Sequence, residues 1–221
     1  MKKLCIIIGC GSSLARNIKR KYELLPEYDI IGTYNNDACN DFNIDKIHYN
    51  LKNKMPKVLL NKICDYSSVD IWWLAATKSF DLHDCFNINF FAPVNFYNNI
   101  KNLNMEKRFI IFSSQGDLHG SIDNNPYNAS KAALSSYFEP IALKSTVQYR
   151  ILLVKPWLFE SKMNSNSFLS IAGEKIVNSV FTSLKKQKHI IIKHYWTYFL
   201  VQIVKIISIK FLYNLITSLK K

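Results

Sequence analysis

Cysteine and histidine are scarce in this chain, and neither has the spacing of a disulfide framework or a metal site. The five cysteines and five histidines among 221 residues form no C-x-x-C pair and no H-E-x-x-H motif. The number of cysteines is odd, and none follows Cys85, which is typical of a protein kept in a reducing cytosol. We therefore expect a cytoplasmic protein without a bound metal.

Acidic residues are also few, with 16 Asp and Glu against 29 Lys and Arg, so the formal net charge is +13. Such an excess suits contact with nucleic acid, anionic lipid or phosphorylated ligands, and it equally suits a solvated lysine-rich surface. The positive charge is the single feature of the sequence that points to nucleic-acid binding, so we expect no nucleic-acid partner.

The sequence has no long apolar run. The apolar segment 4–8 is too short for the core of a signal peptide, and the longest uncharged stretch near the end, 195–204, is too short to span a bilayer. Residues 194–221 are nevertheless apolar, aromatic and basic. They predict a helical tail that lies on the inner face of an anionic membrane, or packs on a partner subunit or on its own domain.

What the sequence does contain is a regular alternation of short apolar runs and helical patterns. Strands are predicted at 4–8, 28–34, 46–51, 69–74, 109–113, 149–154 and 189–192. Helices are predicted at 14–22, 58–64, 87–103, 126–143 and 172–184. The alternation indicates a single α/β domain over residues 1–193, with a doubly wound parallel sheet of the Rossmann type.

Two glycines, Gly9 and Gly11, separate the first predicted strand from the first helix. A glycine turn at this place lets the backbone approach a pyrophosphate, which then lies on the helix N-terminus. Turns of this kind also occur for purely steric reasons, so the turn gains meaning only together with a second feature.

That second feature is a tyrosine four residues before a lysine on a predicted helix, Tyr127 and Lys131. Residues at this spacing share a helix face, and an ammonium beside a phenol lowers the pKa of the phenol. The tyrosine can then exchange a proton with a carbonyl or an alcohol. Tyr97 and Lys101 repeat the spacing. Context favours the first pair, because Ser114 lies thirteen residues before Tyr127 at the end of an apolar strand, where α/β sheets bind ligands.

With these features in place, the chain resembles the short-chain dehydrogenase/reductases over about residues 3–193. Residues 7–15 are similar to the T-G-x-x-x-G-x-G turn, with Ser13 and Ala15 at the second and third glycines. Residues 69–77 resemble the strand that ends in N-N-A-G, of which Ala76 is retained, and residues 88–90 resemble the V-N-x segment.

The later motifs of that family follow in the same order. Residues 112–114 are similar to I-S-S, and residues 127–131 match Y-x-x-S-K. Residues 154–157 resemble V-x-P-G, with Trp157 in place of the glycine, and are followed by 161–163 in the manner of T-x-M. The departure at Trp157 is the largest one and affects the pocket for the nicotinamide.

The resemblance implies a role for each site residue. Tyr127 transfers the proton, and Lys131 holds the nicotinamide ribose and lowers the tyrosine pKa. Ser114 binds the substrate oxygen as negative charge develops, and Asn89 orients a water in the proton relay. The implied cofactor-binding residues are Gly9, Gly11, Ser12, Ser13, Leu14, Tyr34, Asn35, Asn50, Leu51, Ala75, Ala76, Tyr127, Lys131 and Pro156. Asn50 stands where the family has an adenine-binding aspartate.

The end of the second strand bears on the cofactor. Residues 31–36 contain no acid that could accept the adenosine ribose hydroxyls, which favours NADP(H) over NAD(H). Neither Ser12 nor Asn35 is basic, however, so no side chain at those positions grips a 2′-phosphate.

The expected function is an oxidoreductase of a small carbonyl or alcohol compound, including a keto sugar or a lipid-linked substrate at the membrane surface. We also expect a homo-oligomer, either a dimer or a tetramer. Two alternatives stay open. One is a nucleotide-sugar epimerase or dehydratase, a class that usually has a larger C-terminal domain. The other is a non-catalytic cofactor-binding scaffold, which the departures from N-N-A-G and P-G favour.

Overall fold

The computed structural model describes residues 2–35, 43–114, 124–156, 172–186 and 190–192. Seven parallel strands form one sheet in the order β3-β2-β1-β4-β5-β6-β7. The strands are β1 (Lys3–Ile8), β2 (Tyr28–Tyr34), β3 (Asp45–His48), β4 (Ser68–Trp73), β5 (Glu106–Phe112), β6 (Tyr149–Lys155) and β7 (Ile190–Ile192). The order reverses between β1 and β4, so the predicted doubly wound sheet is confirmed and its ligand crevice lies at the carboxyl ends of these two strands.

Helices cover both faces of the sheet. They are α1 (Ser13–Tyr22), α2 (Lys57–Cys64), α3 (Leu82–Phe86), α4 (Ala92–Ile100), α5 (Asn125–Leu143) and α6 (Gly173–Lys185). Side chains of α1 and α6 pack on one face and those of α2, α4 and α5 on the other. β1 contributes Leu4, Ile6 and Ile8 to one face and Cys5 and Ile7 to the other. Burial on both faces explains why the strand is a continuous apolar run.

The helix predicted over 87–103 differs from the observed one. The helical segment begins at α3, passes through a π-helical turn (Asn87–Phe91) and ends with α4 at Ile100. In the wide turn the N–H of Ala92 donates to the carbonyl of Asn87, five residues back. Pro93 follows and has no N–H to donate, so the regular helical ladder is broken at this point.

Strand β5 begins three residues before the predicted start, and β3 is shorter than predicted. Lys107 and Arg108 belong to β5, and Lys107 is buried, with its ammonium on the carbonyl of Leu103. After β3 the chain enters a turn in which the N–H of Asn53 donates to the carbonyl of Asn50 at 2.9 Å. In both places hydrogen bonds of polar residues, rather than apolar patterning, accompany the ends of the strands.

The predicted tail, 194–221, lies outside the described residues, so its membrane contact stays a prediction. Of the helices that the structure describes, none has the length and apolar character needed to cross a membrane. Within the same ranges, His, Cys, Asp and Glu side chains form no group of three or more that could hold a metal ion.

Candidate active site

The glycine turn after β1 packs directly against the end of β4. Gly9 has φ +86°, and a Cβ built on it would lie 3.0 Å from the backbone N, Cα and Cβ of Ala75. The N–H of Ala75 donates to the carbonyl of Ile8 at 3.1 Å, and the N–H of Gly9 to Oγ1 of Thr33 at 3.2 Å. Only glycine combines this backbone conformation with so close an approach, so the backbone itself lines the crevice here.

Helix α1 begins next to this turn. Ser12 caps it, since its Oγ accepts a hydrogen bond from the N–H of Leu14 at 3.4 Å. The first turn of α1 contains no acidic residue, so the positive end of the helix dipole is not neutralised there. Gly11 is partly exposed and Ser13 is exposed in this stretch, whereas the side chain of Leu14 is buried in the core. Leu14 can therefore meet a cofactor only through its backbone.

The residues predicted to hold the adenosine lie past the ends of β2 and β3. The Tyr34 ring packs edge-to-face on His48 with centroids 5.5 Å apart, and Asn35 follows it on the surface. Oδ1 of Asn50 accepts the N–H of Lys52 at 3.0 Å, so this side chain shapes the turn, and Leu51 packs against the core. The described end of β2 carries no carboxylate, as expected from the sequence.

Two serines follow β5, and the structure separates their roles. Ser113 is buried, and its Oγ donates to the carbonyl of Lys131 at 3.1 Å and lies 2.7 Å from Oγ of Ser135. Ser113 thus fixes α5 to the strand. Ser114 is half-buried and directly follows Ser113 after the end of β5. Its substrate-binding role stays a prediction.

Tyr127 lies in the first turn of α5, and Lys131 lies one turn further on. The Lys131 ammonium is 5.8 Å from the centroid of the Tyr127 ring. Lys131 is buried, 2% exposed, and its Nζ donates to the carbonyl of Phe112 at 2.7 Å. Lys131 therefore contacts both Tyr127 and the end of β5, which Ser113 and Ser114 follow.

Asn89 lies in the π-helical turn and is buried. Its Oδ1 accepts the N–H of Thr77 at 2.8 Å, while its Nδ2 donates to the carbonyl of Thr77 and to Oγ of Ser130, both at 2.9 Å. Ser130 Oγ in turn donates to the carbonyl of Tyr127 at 2.7 Å. Asn89 thus ties the loop after β4 to the first turn of α5.

The second tyrosine–lysine pair has different surroundings. Tyr97 lies near the end of α4, where its ring stacks on Tyr149 with centroids 5.6 Å apart and meets Phe138 edge-on. Burial raises the pKa of Tyr97, with Tyr137 adding to the effect. Its partner Lys101 is exposed and donates to Asn98. A phenol with a raised pKa, packed among aromatic rings, is poorly suited to exchange protons, so Tyr97 lacks the surroundings expected of an acid–base residue.

Strand β6 closes the site on the far side. Lys155 is buried at its end and pairs with Glu139 of α5, and the buried Pro156 follows. The segment containing Trp157, Ser161 and Met163 lies outside the described residues.

One residue near the phenol matches no motif. Lys78 follows Thr77 in the loop after β4, and its ammonium lies 5.6 Å from the centroid of the Tyr127 ring. The sequence offers only the position of Lys78 directly after the N-N-A-G-like segment as a signal.

The fold has many relatives among solved structures, although the chain matches no family model and no curated protein sequence at a significant level. A short-chain dehydrogenase from Streptomyces avermitilis aligns over 100% of both chains, with 15% identity and a TM-score of 0.75. A Burkholderia cenocepacia short-chain dehydrogenase in complex with NADP covers 91% of this chain and 92% of its own, with 15% identity and a TM-score of 0.72.

A third structure, a short-chain dehydrogenase/reductase from Burkholderia phymatum in complex with NAD, covers the same shares of the two chains, with 13% identity and a TM-score of 0.71. At these identities the similarity establishes the fold. The chain therefore has the fold of the short-chain dehydrogenase/reductases, as the motifs predict.

Proposed function

We propose that the chain is a nicotinamide-dependent oxidoreductase in which Tyr127 is the general acid and base. The observation that carries the proposal is the position of Tyr127, with the Lys131 ammonium 5.8 Å from its ring, beside the strand end that leads to Ser114. The turn at Gly9 follows β1 at the same edge of the sheet. The tyrosine and the glycine turn therefore both lie at the carboxyl edge of the sheet, which supports a common site.

Each side chain has a defined task in this proposal. Tyr127 gives a proton to the carbonyl oxygen in reduction and takes one from the alcohol in oxidation. Ser114 donates a hydrogen bond to that oxygen while negative charge develops. Lys131 favours the phenolate and holds the ribose, and Asn89 keeps the first turn of α5 in register with the loop after β4. The nicotinamide, when bound, supplies or accepts the hydride.

The residues present fit such a dinucleotide. A Cβ at Gly9 would fill the space beside Ala75, and α1 offers an uncompensated N-terminus to a pyrophosphate. Since β2 ends at Tyr34 with Asn35 after it and no carboxylate, we propose that NADP(H) is preferred to NAD(H). The solved neighbours contain NADP in one case and NAD in another, so measurement must decide the preference.

A small carbonyl or alcohol compound is the proposed substrate. The more specific proposal of a lipid-linked or sugar-linked compound rests on the basic and apolar composition of residues 194–221. This composition is also the basis of the membrane contact that we propose for the tail.

Titration of the full chain with NADPH and with NADH, followed by quenching of tryptophan fluorescence, tests the proposal. Trp73 is the last residue of β4, at the carboxyl edge of the sheet. We expect binding of both nucleotides and tighter binding of NADPH. Gly9→Val should abolish binding of both, because its side chain meets Ala75, and thermal unfolding of the variant reports whether it still folds. Absence of binding by the wild-type chain would overturn the oxidoreductase proposal, and tighter NADH binding would overturn the cofactor preference.

A further inference from the structure

Two lysines, not one, approach the phenol ring of Tyr127. Lys131 comes from α5 itself, and its ammonium is 5.8 Å from the ring centroid. Lys78 comes from the loop after β4, and its ammonium is 5.6 Å from the same centroid. A cation at this distance over an aromatic ring is attracted to the ring electrons. The approach of Lys78 is thus as close as that of the lysine that the Y-x-x-S-K motif identifies.

The position of Lys78 is fixed by buried hydrogen bonds. The preceding residue, Thr77, is held through both its N–H and its carbonyl by the amide of Asn89, at 2.8 and 2.9 Å. The same amide donates to Ser130, whose hydroxyl donates to the carbonyl of Tyr127. A continuous set of hydrogen bonds therefore connects the backbone next to Lys78 with the backbone of Tyr127. This frame holds the loop that carries Lys78 beside the first turn of α5.

We propose that Lys78 is a second cationic positioning residue for Tyr127, which holds the phenol ring and stabilises its phenolate together with Lys131. The inference rests on the proposed role of Tyr127 as the proton-transfer group. It adds a residue that lies outside the tyrosine–lysine motif and that comes from a different part of the chain.

The electrostatic effect of Lys78 is expected to be substantial because its ammonium is partly removed from water. Lys78 is half-buried, and burial lowers the pKa of its ammonium. A charge with less water around it is less screened, so its effect on a neighbouring phenol is larger than at the surface. Lys131 also donates to the carbonyl of Phe112, which fixes its ammonium beside the end of β5.

Other charged groups near the first turns of α5 have closer partners than the phenol. Asp84 pairs with Lys52 at 2.6 Å, and the Asp81 carboxylate accepts the N–H of Asp84 at 2.7 Å as the cap of α3. Glu139 pairs with Lys155 on the side facing β6. The remaining titratable side chains of α3 are His83 and Cys85, and burial raises the pKa of the Cys85 thiol. Among the residues that the structure describes, the ammonium groups of Lys78 and Lys131 are the charges found against the Tyr127 ring.

Spectroscopic titration of the full chain tests the inference without a substrate. The ultraviolet absorbance of phenolate is followed against pH for a protein and for the same protein with Tyr127→Phe, and the difference gives the titration of Tyr127. We expect Lys78→Met to raise the midpoint by about one pH unit, as loss of a near opposite charge should. Lys78→Arg should restore the wild-type midpoint, because it keeps the cation.

Lys101→Met is the matched control, since the Lys101 ammonium lies 5.9 Å from the centroid of a different ring, that of Tyr97. This substitution should leave the Tyr127 midpoint unchanged. An unchanged midpoint in Lys78→Met, or equal shifts in Lys78→Met and Lys78→Arg, would overturn the inference. Nucleotide binding is measured separately. A shifted midpoint in a chain that binds no nucleotide would uphold the role of Lys78 and reject the oxidoreductase proposal. Nucleotide binding without a shifted midpoint would uphold the oxidoreductase proposal and reject the role of Lys78.

Discussion

Two polar clusters lie at opposite ends of the same sheet, and their charges are balanced in different ways. The first cluster lies toward the edge of the sheet where the strands begin. We call it the buried ion-pair cluster, and it consists of Asp70, Arg108, Tyr22, Tyr28 and Trp72. Arg108 donates to both carboxylate oxygens of Asp70, which is fully buried. The hydroxyl of Tyr22 donates to Asp70 at 2.6 Å and accepts from Trp72 at 3.1 Å, and Arg108 also donates to Tyr28 at 2.7 Å.

At the carboxyl end the phenol of Tyr127 has two ammonium groups near its ring instead of a carboxylate–guanidinium pair. The same residue type therefore has opposite surroundings at the two ends. Burial, followed by the Asp70 carboxylate, raises the pKa of Tyr22 well above its ordinary value. The lysines beside Tyr127 favour the phenolate. A carboxylate raises the pKa of a phenol at one end, whereas at the other two ammonium groups lie near the phenol to which we assign the proton transfer.

Removal of the Asp70 charge is expected to have the largest effect on stability. Asp70→Asn leaves the Arg108 guanidinium without its counter-ion, and breaking such a pair costs about 3 kcal/mol or more. Urea unfolding should show this loss, while Asp65→Asn, at an exposed helix end, should change stability by less than about 0.5 kcal/mol. A loss below about 1 kcal/mol for Asp70→Asn would mean that the cluster does not hold the sheet together.

Removal of the Tyr127 hydroxyl should affect turnover instead. Tyr127→Phe keeps the ring but removes the transferable proton, so turnover should fall by about a hundredfold or more, with little change in nucleotide binding or stability. Tyr97→Phe, whose ring lies among Tyr149 and Phe138, is the control and should keep nearly full turnover. Similar losses of turnover in the two variants would assign the proton transfer to neither tyrosine.

Most of the fold could be predicted because its strands are buried on both faces. The continuous apolar run of β1 identifies an interior parallel strand directly, and β4 is buried along its whole length although Asp70 interrupts its apolar residues. The start of β5 could not be predicted, since Arg108 looks like a surface residue until its partner Asp70, 38 positions earlier, is known. The break before Pro93 was equally hidden, because a π-helical turn has no simple periodic pattern.

In the candidate site, too, some features could be predicted from local sequence, whereas others depend on contacts between distant segments. Tyr127 and Lys131 are four apart on one helix, so the sequence contains their geometry. Ser113 and Ser114 could be ranked only by the family resemblance, and their different burial now gives a physical reason. For Lys78 the sequence offers only its position after residues 69–77, because its contact with Tyr127 joins segments far apart in the chain.

Alkaline pH offers a further contrast between the two ends. Burial raises the pKa of Tyr22 and Tyr28 in the folded chain, so these phenols stabilise the fold fully below the unfolded pKa of about 10. That stability is lost as the pH rises further, by about 1.4 kcal/mol per pH unit for each fully buried phenol. Tyr22→Phe should reduce the slope of stability against pH above about pH 10, measured by urea unfolding. Tyr127→Phe should leave it unchanged, and an equal reduction in both variants would contradict the contrast.

The smallest effect is expected at the rim of the amino-terminal end, where Lys2 pairs with Asp29 at 2.9 Å and the hydroxyl of Tyr66 donates to the same carboxylate at 2.7 Å. The Lys2 and Asp29 side chains are 70% and 37% exposed, so water and salt screen the pair. Lys2→Met should cost at most about 1 kcal/mol, and less at high salt.

Hydrogen bonds from Lys2 and then Tyr66 lower the pKa of Asp29. The stabilisation is therefore present above the unfolded pKa of about 3.9 and is lost as the pH falls through the folded value. A Lys2→Met, Asp29→Asn double-mutant cycle at neutral and acidic pH measures it. A coupling at neutral pH as large as the loss in Asp70→Asn would show that charge pairing at the exposed rim stabilises the fold as strongly as pairing inside the buried ion-pair cluster.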